Sequence, residues 1–382
     1  MRFIHLSDLH LGKNVNCFSM IEDQAYILDQ IVDIIKDEKP DGILIAGDVY
    51  DKSIPSAEAV ELLNHFLERL VLDDWQGSKL FLISGNHDSA ERLSFGRRFI
   101  ARSGVHIAPS YNGKIKPICM EDEFGKINVF LLPFIKPIHV RRFFPDLEID
   151  TYTQAIQLVI DSMKIDPEDR NILVTHQYVT GAERSDSEDL IVGGTSNIDA
   201  SVFKPFDYVA LGHLHRPQHC SVDTIRYCGT PLKYSFSEVN DTKSLTLVEL
   251  GAKQAVSVRE IPLTPKRELR QLRGTFQELM SESFYENTTY QNDYVHVTLT
   301  DEDDLIDGAN KLRTVYPYLM KLDYDNARSR ALQKLQAATD VELRQPIELF
   351  AELYEKQNGS PLSEVQRAYI LDMFEKMTGG EV

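Results

Sequence analysis

Residues 3–13 of the chain read FIHLSDLHLGK. Phe3, Ile4 and Leu6 have the apolar character of a buried strand, and Asp8 and His10 follow where that strand should end. Two polar groups at a strand exit form either a turn or half of a metal site, and one motif of this size does not decide between them. Four further stretches repeat the layout. In DGILIAGDVYD (41–51) the run Ile43 to Ala46 precedes Gly47 and Asp48. In KLFLISGNHD (79–88) Leu80 to Ile83 precede Gly85, Asn86 and His87. NILVTHQ (171–177) places His176 after Ile172 to Val174, and DYVALGHLHRP (207–217) places Gly212, His213 and His215 after Tyr208 to Leu211. Each run is short, apolar and holds β-branched residues, as expected of strands buried on both faces.

Helical patterns separate the first three runs. Ile27, Leu28, Ile31, Ile34 and Ile35 form one stripe that Pro40 ends, and Val60, Leu63, Leu67 and Leu70 form a second with Ser56 as N-cap. Alternating strands and helices predict an α/β sandwich with largely parallel central strands. Ligands of such sheets bind beyond the carboxyl ends of the strands, which is where all five polar clusters fall.

Taken singly, an aspartate after glycine is usually a turn, and a lone histidine is usually core or surface filler. His5, His65, His106, His139, His219 and His296 are read in that way. The joint pattern is different. Asp8, His10, Asp48, Asn86, His176, His213 and His215 supply oxygen and nitrogen ligands without a thiolate. They are too many for one tetrahedral zinc and suit two divalent ions sharing a carboxylate. The mixed hard set suits Mn²⁺, with Mg²⁺, Fe or Zn as alternatives, and argues against copper or an iron–sulfur cluster.

The remaining composition is that of an ordinary globular protein: 382 residues, 42% hydrophobic and 26% charged. The apolar N-terminus is broken by His5, Asp8 and His10, so no signal peptide is read there, and no apolar run has the length of a membrane span. The cysteines Cys17, Cys119, Cys220 and Cys228 have neither zinc-site spacing nor a disulfide framework, and are read as mostly buried thiols of a cytoplasmic protein. A net charge of −18 repels polyanions from the surface as a whole. Two divalent ions would outweigh the two carboxylates among the ligands and make an electropositive island that attracts a phosphate.

The motifs DLH, GDVYD, GNHD, TH and GHLH, in this order, resemble the calcineurin-like metallophosphoesterase superfamily. FIHLSDLHLG, GILIAGDVYD, LISGNHDSAERL, HQYVTGAERSDSE and LIVGGTSNIDASVF further resemble the SbcD family, the nuclease subunits of bacterial SbcCD complexes, and the similarity runs through the full chain. The resemblance implies one ion on Asp8, His10, Asp48 and His215, and another on Asp48, Asn86, His176 and His213, with Asp48 bridging. It makes His87 the group that contacts the scissile phosphate and helps the leaving oxygen depart. It also implies a DNA nuclease acting in repair, recombination and replication, with ATP-dependent 3′–5′ double-strand exonuclease and single-strand or hairpin endonuclease activity. The implied setting is a cytoplasmic, nucleoid-associated homodimer with an SbcC-like SMC-type ATPase as partner. A plain metallophosphatase or a non-catalytic scaffold for the ATPase are the competing readings. Asp51 has the spacing that metallophosphatases use for a carboxylate orienting the histidine of GNH. Archaeal relatives commonly carry histidine there, so the family leaves the role open; the physics favours an Asp51–His87 pair that orients the ring.

Residues 1–262 are read as the phosphoesterase domain; the resemblance implies that 263–340 form a capping, DNA-guiding domain and that 341–382 are helices that dock the ATPase. Past Pro262, Lys266, Arg267, Arg270 and Arg273 form either a solvated linker or a phosphate-contacting strip. Arg92, Arg97, Arg98 and Arg102 follow GNHD at helical spacing and favour a DNA-facing role. DYVHVTLT alternates as a half-buried strand, LMKLDY follows as another, and the helix-like DDLIDGANKLRTVYP lies between them. Residues 180–197 are rich in Gly, Ser, Asp and Glu and read either as a substrate-side loop or as a flexible connection. The tail carries Ile347, Phe350, Ala351 and Tyr354 on one helix. Its second helix has a Ser363–Gln366 capping box with Val365, Tyr369, Ile370, Met373, Phe374 and Met377.

Overall fold

The computed structural model describes residues 1–72, 78–188, 197–303 and 305–330, with residues 347, 350, 351, 354, 362, 363, 366, 367, 369, 370 and 373 beyond them. The chain divides into two compact units. One is Met1–Gln271 with Asn287–His296 and Arg313–Lys321; the other is Leu272–Glu286 with Val297–Leu312 and Leu322–Val382.

The first unit holds two six-stranded sheets. The first runs Val256–Pro262, Ser244–Leu250, Arg2–Leu6, Gly42–Ala46, Lys79–Ile83, Val105–Ala108. Its last four strands are parallel and the two at the other edge antiparallel. The second runs Gln218–Cys220, Val222–Tyr227, Tyr208–Gly212, Arg170–His176, Gly125–Leu132, Ile118–Asp122, with four parallel central strands between antiparallel edges.

The period of two in a strand explains the continuous apolar runs. Leu44, Ala46, Phe81 and Ile83 of the first sheet share one core with Ile127, Val129, Ile172, Val174, Tyr208 and Ala210 of the second. The alternate residues Ile43, Ile45, Leu80 and Leu82 join a core with the helices Ile21–Glu38 and Ala57–Leu72. Phe130, Leu132, Leu173, Val209 and Leu211 do the same with the helix Tyr152–Ser162. Both faces of the central strands are therefore apolar, as the sequence implied.

Helix Ile21–Glu38 buries Ile27, Leu28, Ile31, Val32 and Ile35 and ends at Lys39 in the left-handed region, one residue before Pro40. Ser56 caps the second helix by accepting the Ala59 N–H at 3.3 Å. The buried stripe of that helix differs from the expected one: it holds Ala59, Leu63, Phe66 and Leu70, while Val60 is 46% exposed. The cysteines also depart from expectation, since Cys17 and Cys119 are exposed and only Cys220 and Cys228 buried.

Leu269–Gly274, Tyr294–Leu299 and Leu319–Tyr324 form a third, three-stranded sheet. The middle strand buries Tyr294, Val295, Val297 and Leu299. In the tail Ile347, Phe350, Ala351 and Tyr354 are helical. Ser363 and Gln366 form the expected reciprocal cap, the Ser363 N–H donating to Gln366 Oε1 at 2.9 Å and the Gln366 N–H to Ser363 Oγ at 3.3 Å. Val365, Phe374, Met377 and residues 189–196 of the acid-rich loop lie outside the described residues. Among the described residues no helix is long and apolar enough to cross a membrane.

Candidate metal centre

The parallel strands deliver their carboxyl ends to one edge of the sandwich. Asp8, Asp48 and Asn86 follow the strands Arg2–Leu6, Gly42–Ala46 and Lys79–Ile83; His176 ends its own strand, and His213 and His215 follow Tyr208–Gly212. The backbone is strained at this edge. Asp8 (φ 53), His10 (φ 45), Asp48 (φ 47) and His213 (φ 108) all occupy positive φ, a state costing about 1–3 kcal/mol per residue where the surroundings impose it. Main-chain bonds impose it here: the Asp8 N–H donates to Gly47 O at 3.0 Å and the His10 N–H to Asp48 O at 3.0 Å. The exits also approach closely. A Cβ on Gly212 would stand 1.9 Å from Ala46 O, and one on Gly85 2.1 Å from Asp48 Oδ1, so neither position accepts a side chain without movement.

All seven expected ligands converge. Asp8, His10, Asp48, His176, His213 and His215 are buried, and Asn86 is exposed. Asp8, His10 and His215 bring ligand atoms within 4.8 Å of one another, as do Asp8, Asp48 and His176. The orientations identify what they converge on. His176 Nδ1 lies 2.8 Å from Ala46 O, which only accepts, so Nδ1 carries the proton. In the neutral ring the lone pair of Nε2 then faces Asn86 Oδ1 at 3.0 Å and Asp48 Oδ2 at 3.3 Å. Asn86 Oδ1 is also 3.0 Å from His213 Nδ1, and His10 Nε2 faces His215 Nε2 at 3.1 Å. A lone pair of His176 directed at two oxygen acceptors in a buried pocket is the mark of a cation site, and the residues present fit two ions.

Protonation tendencies agree. Burial, aided by the charge of His176, pushes His213 down to about 3, and burial with His10 holds His215 well below the usual histidine range. Both rings are therefore neutral, as ligands must be. Burial pushes Asp8 up to about 8. Burial also opposes charge on His176 and Asp48, yet their mutual attraction wins, raising His176 to about 9 and holding Asp48 far below its ordinary value. The pocket favours added positive charge.

Several supporting groups escaped sequence reading. Asp88 accepts the N–H groups of Val49, Tyr50 and Gly85 at 3.1, 2.9 and 2.9 Å, tying two strand exits together. Behind His215, Ser187 Oγ lies 2.5 Å from Nδ1 and donates to the buried Glu238 at 2.5 Å. Lys243 donates to Glu238 Oε2 at 2.6 Å and to His215 O at 2.7 Å, and the His215 N–H donates to Glu188 at 2.7 Å. Such partners orient metal-binding histidines. The aspartate of GNHD was a local signal for Asp88; Ser187, Glu188, Glu238 and Lys243 carry none.

His87 stands beside the ligands, its N–H donating to Asp48 Oδ1 at 2.9 Å. Its expected partner is corrected. The Nδ1 of His87 meets the main-chain oxygen of Asp51 at 2.9 Å, whereas the Asp51 carboxylate accepts from Lys13 at 2.7 Å and lies 3.6 Å from His10 Nδ1. The lysine captures the carboxylate that was expected to orient His87. The basic strip past Pro262 is likewise corrected. Arg267 pairs with Asp23 at 3.0 Å and Glu22 at 3.1 Å, Arg270 with Asp293 at 3.2 Å, Lys266 with Glu22 and Arg273 with Asp325. Its charge is neutralised within the protein rather than offered to phosphate. Arg92 and Arg98 are exposed and Arg97 half-buried.

Residues 1–217 match the calcineurin-like phosphoesterase family, and residues 265–358 match the type 5 capsule protein repressor C-terminal domain. Over 372 residues the chain is 34% identical to the SbcD subunit of the SbcCD nuclease from Staphylococcus epidermidis, covering 96% of each chain. It is 36% identical over 325 residues to the protein of the same name from Staphylococcus saprophyticus, covering 84% of each. The chain belongs to the SbcD family of calcineurin-like phosphoesterases. As a member of that family it is a phosphodiesterase.

Proposed function

We propose that this SbcD-family chain is the Mn²⁺-dependent nuclease subunit of an SbcCD-like assembly. The observation that carries the reading is the convergence of histidine nitrogens and carboxylate and amide oxygens upon one another at the strand exits. Asp8, His10, Asp48 and His215 would hold one ion and Asp48, Asn86, His176 and His213 the other. When bound, two such ions would supply the activation of water and the stabilisation of charge that in-line displacement at phosphorus needs. The chain's own contribution is placement. Asp88 and the main-chain bonds between Asp8, Gly47, His10 and Asp48 lock the exits, and Glu238 orients His215 through Ser187. His87, fixed through Nδ1 by the Asp51 carbonyl, offers its other ring nitrogen to the departing oxygen.

On this reading residues 1–262 cut DNA, residues 263–340 cap the site and guide the substrate, and residues 341–382 dock an SMC-type ATPase. The assembly, a homodimer of this subunit in the cytoplasm, degrades duplex ends 3′–5′ with ATP and opens single strands and hairpins. Purified protein with Mn²⁺ should cleave hairpin and linear duplex DNA, and ATP with the ATPase should stimulate digestion of the duplex. Cleavage of p-nitrophenyl phosphate but no DNA would replace the nuclease by a phosphatase. Asp48→Ala should release both ions, and metal analysis finding two ions per chain would defeat the ligand assignment.

A further inference from the structure

Three cations around the metal centre are matched with carboxylates of the protein itself. Lys13 pairs with Asp51 at 2.7 Å, Lys243 with Glu238 at 2.6 Å, and Arg216 with Glu183 at 2.6 Å and Asp241 at 3.1 Å. Arg184 is different. Among the described residues it has no carboxylate partner, although Glu183 precedes it directly and is taken by Arg216. Its guanidinium lies over the Tyr178 ring instead, 3.9 Å from the centroid, and that ring lies 6.5 Å from the ring of His213. Both Arg184 and Tyr178 are half-buried. Burial and the charge of His176 lower the His213 pKa most; Asp48 opposes them, and Arg184 adds to the lowering, so its charge reaches the ligands.

The segment carrying Arg184 is fixed on both sides. The Glu183 N–H donates to Gln218 Oε1 at 2.8 Å. Ser185 donates its N–H to Glu188 at 3.1 Å and its hydroxyl to Glu238 at 3.4 Å, and Glu188 accepts the His215 N–H at 2.7 Å. The Tyr178 hydroxyl donates to Ala182 O at 3.5 Å, which ties the ring to the same segment. Stacking uses a flat face of the guanidinium and leaves the N–H donors of its edge for a bidentate acceptor.

We propose that Arg184 holds the phosphate next to the scissile one in the strand being cut, donating two N–H bonds to its oxygens while Tyr178 fixes the plane of the guanidinium. Two considerations select that phosphate. The scissile phosphate would have its charge answered by the ions. The contacts run from Arg184 to Tyr178 to His213, and among the described residues the guanidinium makes no bond to a ligand residue, which sets it one ring removed from the ligands. The inference deepens the nuclease reading and rests on it for the substrate being a strand with successive phosphates.

The test is competitive inhibition of bis(p-nitrophenyl) phosphate hydrolysis by the full chain with Mn²⁺. Thymidine 3′,5′-bisphosphate carries two phosphates spaced as in a strand and no diester to cut; thymidine 5′- and 3′-monophosphate carry one each. The bisphosphate should bind about tenfold or more tighter than either monophosphate, the worth of a charge-assisted hydrogen-bonded contact, and Arg184→Ala should erase that advantage. Arg184→Lys keeps the charge but loses the fork and the stack, and should restore only part of it. On a single-stranded 20-mer the loss in Arg184→Ala should fall on KM rather than kcat. A wild-type chain without the advantage, or an Arg184→Ala chain that retains it, overturns the proposal. An equal weakening of the monophosphates puts Arg184 on the scissile phosphate and overturns the assignment, and loss of bound metal or of thermal stability in Arg184→Ala makes the residue a structural support and also overturns it. The bisphosphate series is scored without DNA, so the two readings fail separately. A wild-type chain that hydrolyses the small diester but no DNA refutes the nuclease reading, while the series still decides on Arg184; one that cuts DNA with the advantage intact in Arg184→Ala refutes the role of Arg184 alone.

Discussion

Gly85→Ala isolates the demand that the strand exits approach one another. Gly85 has no left-handed backbone, so alanine adopts its conformation without strain and any effect comes from the added carbon. That carbon would stand 2.1 Å from Asp48 Oδ1, 2.6 Å from its Cγ and 2.5 Å from its main-chain nitrogen. Relief to an ordinary contact of 3.4 Å moves the Asp48 carboxylate by about 1.3 Å relative to Gly85. Overpacking of this kind destabilises by about 1–3 kcal/mol, which leaves a folded protein. A catalytic geometry tolerates only about 0.5 Å, and a 1 Å error costs about 100-fold in rate. Since Asp48 is the proposed bridge, both ions should be lost together. Metal content after gel filtration, hydrolysis of bis(p-nitrophenyl) phosphate and the thermal midpoint in EDTA would be measured side by side. Gly251→Ala, whose added carbon meets Ala255 at an ordinary 3.5 Å, serves as control. A Gly85→Ala protein holding two ions and hydrolysing at the wild-type rate would refute the reasoning.

Asp51→Asn should cost about 2 kcal/mol near neutral pH. Burial opposes the Asp51 charge, but His10 and Lys13 hold its pKa at about 2 against an ordinary 3.8. A carboxylate depressed by folding contributes stability above its unfolded pKa and loses it as pH falls through the folded value, so the gap between mutant and wild type should close between about pH 4 and pH 2. A constant gap across that window in denaturant titrations would contradict the Lys13 pairing. Because a main-chain oxygen holds His87, the same variant should leave the basic limb of the pH–rate profile unmoved; a shift would restore the carboxylate pair. Arg267→Ala should destabilise by roughly 3 kcal/mol, because it strands the buried Asp23, and should leave DNA affinity unchanged once the protein is folded. Full stability with weakened DNA binding would return Arg267 to the DNA surface. Removal of residues 341–382 should abolish co-purification with the ATPase while Mn²⁺-dependent endonuclease activity persists, and retained co-purification would place the docking site elsewhere.

The two-sheet core and the polar edge where its strands end were legible because one physical constraint writes both. A strand buried on both faces must be apolar throughout, so the first polar residues mark where the chain leaves the core, and parallel strands place all those residues on one side. Ile43 to Ala46 before Asp48 and Tyr208 to Leu211 before His213 are read in this way without knowledge of the contacts. Partnerships across long sequence separations leave no such mark. Glu238 reaches His215 through Ser187, 51 residues away from it, and nothing local distinguishes that glutamate from a surface one. Arg267 looked free because its carboxylate partner Asp23 stands 244 residues earlier. Asp51 failed for a subtler reason: spacing placed it beside His87 but could not say whether its carboxylate or its carbonyl would face the ring, and Lys13 decides that. A cation in an acidic chain is thus a poor guide to function until its partner is known.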